Sequence, residues 1–433
     1  MTDRSGWDDI PFHFRSPRAA AGGCYVTNPC RPASDPIGKA RPINKLKVAV
    51  VAACPFPVPR GTPIRILRLA EAVADRGHEV HVATYHLGEG PVAPNVQVHR
   101  IADVPSYRKL GPGPAVGKLL RVDPALAGLL RRLLRQERFD VIHAHHFEGL
   151  LVGAAARRGL GVPLVFDAHT LLMSELPYYS LGLPAGAKVT LGRWADRLFP
   201  RLADHTICVT ETIHDKLVGQ GGFDPAKVSV VSNGTEIEHF DPARVGSVAP
   251  RPGRTLVFTG NLASYQGIDL LLKAFQRVVA RVPEARLLIA SDSSFGPYEA
   301  LARQLGIRDH VDVERSPAFA DLPGLLASAE IALNPRENAD GIPVKLLNYM
   351  AAARPTVSFQ GSAPGVTHGL NGWLAKTGDV GAFAEGVVIL LQDRERARAM
   401  GQAARDYVVE NASWPKAAER CERIFESLRA RMT

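Results

Sequence analysis

Short, continuously apolar runs recur through this chain, each followed by a loop and then an amphipathic helical stretch. Lys47–Ala53 reads KVAVVAA, the pattern of a strand buried on both faces of a parallel sheet. A Pro- and Gly-rich loop, Pro55–Pro63, leads to a helix expected over Ile64–Arg76, which Gly77 stops before the next strand, Glu79–Thr84. The alternation continues through strands at Val96–Arg100, Val141–Ala144, Leu164–Ala168, Thr206–Val209 and Val228–Val231, with helices at Lys118–Gln136, Glu148–Arg158 and Glu211–Val218. A second series opens at Leu256–Thr259 and runs to a last helix over Lys416–Arg431. The loopy stretch Asp241–Gly253 joins the two. The expected fold class is α/β, two doubly wound parallel-sheet (Rossmann-like) domains facing a central cleft. The boundaries read as a disordered leader (1–44), a first domain (45–240), a second domain (241–414) and a C-terminal helix (415–433) folding back on the first domain.

A chain of 433 residues needs more than one core. With 46% hydrophobic and 22% charged residues it has the composition of a globular protein, not of a disordered or fibrous one. No apolar run approaches the ~18 residues of a membrane span. The five cysteines are scattered, with neither a disulfide framework nor zinc spacing, so a reducing cytoplasm is expected. The net charge of +9 is concentrated in Arg108–Arg138, where eight basic residues face two acidic ones. That bias favours an anionic partner. Without interleaved aromatics or a recognition motif, nucleic acid is not expected to be that partner.

Ligands of doubly wound sheets sit beyond the carboxyl ends of the strands, so the loops there carry the chemistry. DVIHAHHFE (140–148) and VFDAHT (165–170) put His145, His146 and His169 at such positions, with Asp167 beside His169. No carboxylate or thiolate partner set is visible in the spacing, and no metal is expected. TGNLASYQGID (259–269) is a strand–helix turn whose glycines, Gly260 and Gly267, allow backbone contact with an anion. In NPRENADGIPVKLLNYMAAARP (334–355) a polar loop enters a helix starting near Val344, with Asp340 just ahead of it and Lys345 and Asn348 in its first turns. Such a helix start stabilises negative charge.

The order of these motifs, with PFPVPRGTP, ADHTICVTETI and KVSVVSNGTE between them, resembles family 4 of the retaining glycosyltransferases, which have the GT-B fold. The resemblance spans nearly everything after residue 44. It implies a nucleotide-sugar donor in the second domain, a saccharide or lipid-linked acceptor in the first, retention of anomeric configuration, and neither metal nor cofactor. It carries the family's catalytic-region histidine onto His169 and its phosphate-side glycine onto Gly61. The two carboxylates that hold the donor sugar and the ribose fall on Asp340 and Asn348. It also implies donor contacts at Gly260, Asn261, Gln266, Arg336, Gly341, Ile342 and Lys345, and an acceptor side with His145, His146, Asp167 and Glu175. Two departures stand out: Asp and Asn replace the paired glutamates, and neutral Asn261 and Gln266 stand where the family has a basic pair gripping the diphosphate. Other cations must then meet the phosphates, the nearest in sequence being Lys345, Arg336 and Arg354.

The expected activity is sugar transfer to a hydroxyl in glycolipid or surface-polysaccharide assembly. The alternatives are a GT-B-shaped binding or scaffold protein and a GT-B sugar-nucleotide epimerase. The Leu- and Arg-rich helix 118–136, together with 171–201, offers a surface for anionic lipid at the inner face of the plasma membrane, the other reading being a helix with one face packed and one solvated.

Overall fold

The computed structural model describes residues 45–58, 61–109, 117–179, 182–246, 251, 253–315, 317–338, 341 and 343–431. The expected leader, Asp340 and Ile342 lie outside the described residues. The first series gives β1 (Lys47–Ala52), α1 (Gly61–Asp75), β2 (Glu79–Thr84), β3 (Val96–Arg100), α2 (Asp123–Gln136), β4 (Val141–His145), α3 (His146–Ala156), β5 (Leu164–Ala168), α4 (Leu172–Glu175), α5 (Ala185–Leu198), β6 (His205–Cys208), α6 (Glu211–Asp215) and β7 (Val228–Val230). The second gives β8 (Arg254–Thr259), α7 (Ile268–Val279), β9 (Ala285–Ser291), α8 (Gly296–Gln304), β10 (Val311–Arg315), α9 (Leu322–Ala327), β11 (Ile331–Asn334), α10 (Val344–Ala351), β12 (Thr356–Phe359), β13 (Trp373–Ala375), α11 (Val380–Gln392), α12 (Arg394–Asn411) and α13 (Trp414–Ala430).

Each series closes into one all-parallel sheet, β3-β2-β1-β4-β5-β6-β7 and β10-β9-β8-β11-β12-β13. The period-2 geometry of a strand explains the burial on both faces. In β1, Val48, Val50 and Ala52 pack against α1 and α13, whereas Ala49 and Val51 face the core under α2 and α3. The second sheet is covered by α7 and α11 on one face and by α10 and α12 on the other. Trp414, Cys421, Phe425 and Leu428 of α13 are buried in the first domain's core, and Phe240 is buried in the second's. Asp379, Asp393 and Ser413 accept from the backbone N–H three residues on and so open α11, α12 and α13 in turn. Each such cap contributes ~1 kcal/mol.

Two local expectations change. The helix after β1 starts at Gly61, not Ile64, because Pro63 fits the first turn of a helix, where its missing N–H costs nothing. The basic helix is a π-helical turn, Lys118–Val122, running into α2. The leucine face of α2 (Leu126, Leu130, Leu133, Leu134) is buried, and Arg131 donates to the carbonyls of Ala156 and Arg158. These four leucines pack inward, whereas Leu119 and Leu120 in the π-helical turn are exposed. Further exposed apolar side chains of this domain include Leu191, Trp194 and Leu198 along α5, a helix the strand–helix pattern passes over. Among the described residues no helix is long and apolar enough to cross a membrane.

Candidate active site

The strand order reverses between β1 and β4 in the first sheet and between β8 and β11 in the second. Loops leaving the carboxyl ends of such neighbours turn opposite ways and leave a crevice.

In the first crevice a buried polar cluster sits on β4 and β5. Asp167 and Arg65 are 0% and 2% exposed, with Arg65 Nη2 2.9 Å from Asp167 Oδ2. Arg65 also donates to the carbonyls of Val231 and Ser232 and to Asn233 Oδ1. His143 Nε2 lies 3.2 Å from Asp167 Oδ2. Burial opposes the charge of Asp167, but Arg65 and the bond from His143 hold its carboxyl well below the usual range. Burial also keeps His145 neutral and brings His169 down to about 3, outweighing the attraction of Asp167. His169 is fixed at both ring nitrogens: Nε2 is 3.0 Å from His145 Nδ1, and Nδ1 is 3.2 Å from Thr62 Oγ1 at the start of α1.

Sequence spacing gave no carboxylate partner for the histidines, yet the parallel pairing of β4 with β5 brings Asp167 to both His143 and His145. These three have the spacing of a metal site. The guanidinium of Arg65 already neutralises the carboxylate there, so the donor set does not suit a cation. A second such group, Glu79, His81 and Glu137, holds the Lys47 ammonium among its carboxylates.

Beside this cluster lies a cavity of about 230 Å³, walled by Gly61, Thr62, Tyr85, His145, His146 and Glu175 among others. Gly61, expected on the donor side, opens α1 at this cavity. His146 takes a left-handed backbone, φ 64°, at the corner from β4 into α3. Its ring lies between Glu148 (Nδ1 to Oε2, 2.5 Å) and Glu175 (Nε2 to Oε2, 3.2 Å). Burial opposes its charge, but the two carboxylates raise its pKa to about 10.

The second crevice is built by the β8–α7 turn and the β11–α10 loop. Gly260 (φ 123°) and Gly267 (φ 72°) both need the freedom of glycine, and a Cβ on Gly267 would meet the Pro335 carbonyl oxygen at 2.4 Å. Tyr349 Oη accepts from the Thr259 N–H at 2.7 Å and ties the end of β8 to α10. Asn261 Oδ1 accepts from the Ala263 N–H, and its amide nitrogen reaches Tyr265 Oη at 3.1 Å. Lys345 donates to Gln266 Oε1 at 2.6 Å, and Arg336 lies over the Tyr265 ring. The neutral pair is thus accompanied by two cations that arrive from β11 and α10. Burial, with the charge of Arg336 nearby, lowers Lys345 to about 7.

Arg354 does not join them. It donates to the carbonyls of Ala329 and Ala352, beyond the C-terminus of α10 and ahead of β12, at the opposite edge of the sheet. Asn348 Oδ1 accepts from Thr235 Oγ1 at 2.7 Å, so its carbonyl is engaged within the protein. The two crevices meet at Gly341, where a Cβ would lie 3.7 Å from the His169 carbonyl oxygen and 3.6 Å from Val209. Sequence reasoning missed Arg65, His143, Glu148 and Lys118. Arg65 lies outside every motif, His143 lies within DVIHAHHFE but on the strand rather than past it, and the other two become recognisable only as the partners of His146 and of each other.

Residues 59–239 match the family described as Glycosyltransferase Family 4, and residues 253–393 match Glycosyl transferases group 1. The chain is 28% identical over 397 residues to D-inositol 3-phosphate glycosyltransferase 2 of Catenulispora acidiphila, covering 86% of this chain and 91% of that protein. It is 26% identical to the phosphatidyl-myo-inositol mannosyltransferase of Mycobacterium leprae, covering 88% and 97%. Among solved structures, sucrose-phosphate synthase of Thermosynechococcus elongatus superposes with a TM-score of 0.72 at 17% identity, covering 89% and 100%. Anabaena HepE in complex with UDP-glucose superposes with a TM-score of 0.64 at 16% identity, covering 88% and 100%. Two parallel sheets meeting switch point to switch point are the GT-B architecture of glycosyltransferases. Within that class, the chain belongs to glycosyltransferase family 4.

Proposed function

We propose that this glycosyltransferase moves a sugar, with retention and without a metal or cofactor, from a nucleoside-diphosphate sugar to a hydroxyl of a glycolipid or surface-polysaccharide precursor. The observation that carries the reading is the approach of Gly341 to the His169 carbonyl, which joins a cation-bearing helix start to a buried histidine cluster. Uridine is the base we favour, because HepE binds UDP-glucose on the same fold. The leaving diphosphate sits at the start of α10 with Lys345, where the helix end and the ammonium take up its growing charge. Lys345 beside Gln266 supplies the charge the neutral pair lacks, which favours an enzyme over a binding-only protein.

Both ring nitrogens of His169 are engaged inside the protein, so the group it offers the cleft is its carbonyl oxygen. A carbonyl dipole stabilises the oxocarbenium-like transition state, and the ring acts by holding that carbonyl in place. The acceptor hydroxyl attacks the anomeric carbon from the face the diphosphate leaves, and a phosphate oxygen takes its proton. His169→Ala should therefore lower turnover ~10²-fold, the cost of an ångström-scale displacement near the reacting atoms, and leave the dissociation constant of UDP nearly unchanged. Steady-state transfer and calorimetric titration check this, and NMR of the product's anomeric proton with EDTA present tests retention and metal independence. An inverted product, or activity that returns only with Mg²⁺, would refute the mechanism.

For a lipid-linked acceptor, α5 is the surface we assign to the inner membrane face. Its exposed Leu191, Trp194 and Leu198 follow a helical stripe with Arg193 and Arg197 beside it, the composition of an interfacial helix. Sedimentation with phosphatidylglycerol vesicles should fall as salt approaches ~1 M, where the Debye length is ~3 Å. Trp194→Glu should abolish it. Equal binding of this variant and the parent would remove α5 from the contact.

A further inference from the structure

We propose, building on the acceptor-side reading above, that the first-domain cavity takes an uncharged polyol ring, a sugar or cyclitol bearing no phosphate, and that Glu175 receives one of its hydroxyls. At about 230 Å³ the cavity is smaller than the ~300–1,000 Å³ of drug-sized pockets, which suits one ring rather than a chain. It adjoins the reacting centre, since His145 and Thr62 in its wall are the residues that hold His169.

The charges of the described wall residues cancel. Among the described lining residues, Lys118 and His146 are the cations and Glu148 and Glu175 the anions. Lys118 donates to Glu148 Oε1 at 2.5 Å, and His146 bridges Glu148 and Glu175. The charge of His146 is maintained by that pairing, with its pKa raised to about 10. Among the described lining residues, both cations are already paired with carboxylates, so none is left over for a phosphate.

One acceptor is left over. Glu175 Oε1 takes the hydroxyl of Tyr179 at 2.8 Å, but Oε2 is buried without a hydrogen-bond donor. Its nearest cation is His146, whose Nε2 lies 3.2 Å away as an ion pair. An ionised carboxylate only accepts, so the missing partner is a donor. A hydroxyl supplies one, whereas an ionised phosphate adds only acceptors. The left-handed backbone of His146 fixes the imidazole between the glutamates, and strain of this kind collects at ligand-holding positions. The polyol class thus departs from the phosphorylated inositol in the names of the relatives.

The test is calorimetric titration of the full chain, saturated with UDP, using glucose and myo-inositol against glucose 6-phosphate and myo-inositol 3-phosphate. The proposal expects at least one uncharged ring to bind, with its phosphorylated form at least tenfold weaker. Glu175→Gln removes one negative charge, so it should weaken the uncharged ring about tenfold and strengthen the phosphorylated one about tenfold. A purely structural role for Glu175 would not produce that gain, and unchanged UDP affinity shows that the variant is folded. Tighter binding of the phosphorylated ring to the parent protein overturns the proposal, as does UDP binding with no ring bound. Equal behaviour of Glu175→Gln and the parent also overturns it. Failure of the parent protein to bind UDP would instead count against the transferase reading itself.

Discussion

Asp167→Ala should lower the folding free energy by ~3–5 kcal/mol, the cost of removing one partner of a buried ion pair. The charge left behind is Arg65, 2% exposed and deprived of the carboxylate it pairs with. Urea unfolding of the two proteins measures the difference. Arg65→Met combined with Asp167→Leu should recover part of it, because an apolar pair owes no desolvation penalty. The pH dependence has a definite sign. The folded pKa of Asp167 is depressed, so its contribution is present above the unfolded value of ~3.9 and is lost as pH falls through the folded value. A variant as stable as the parent would mean that the pair contributes nothing to the fold and only orders the histidines.

Lys345→Met should weaken UDP binding ~10–100-fold below neutral pH, the equivalent of a charge-assisted hydrogen bond worth ~1.5–3 kcal/mol. In the free protein Lys345 titrates near 7, so at neutrality it is only partly charged. A diphosphate favours the ammonium, and binding takes up a proton. Affinity in the parent should fall as pH rises above 7, by at most tenfold per pH unit. In Lys345→Met that slope should vanish, while Arg354→Met, altered at the far edge of the sheet, should leave UDP binding untouched. Titrations across that range in buffers of different ionisation enthalpy report both the slope and the proton uptake. A parent affinity independent of pH would place the diphosphate away from Lys345.

Much of this site is legible residue by residue. His145 ends β4, His146 and His169 follow β4 and β5, whose apolar runs are unmistakable, and Gly260 and Gly267 occupy turns where their positive φ is required. Asn261, Gln266 and Lys345 are linked by hydrogen bonds. The placement of Arg354 failed because sequence proximity says nothing about direction. The eight-residue helix α10 carries the chain ~12 Å across the sheet before Arg354 is reached. In the basic helix, spacing alone does not separate the leucines that pack inward, such as Leu126 and Leu130, from the exposed Leu119 and Leu120. The outward-facing stripe on α5 becomes apparent only once its neighbours are in place.

The sequence by itself determined two parallel-sheet domains and which loops lie at their carboxyl edges, because strand and helix periods and Gly/Pro punctuation are local properties. Tertiary structure alone decided which charges meet. Arg65 pairs with Asp167 across 102 residues, and Thr235 bonds Asn348 across 113. Lys118 and Glu148 meet from separate helical segments, and only with Glu175 do they neutralise the wall around His146. The physical reason is that protonation and affinity follow from distance and desolvation, and both are set by packing between segments far apart in the chain.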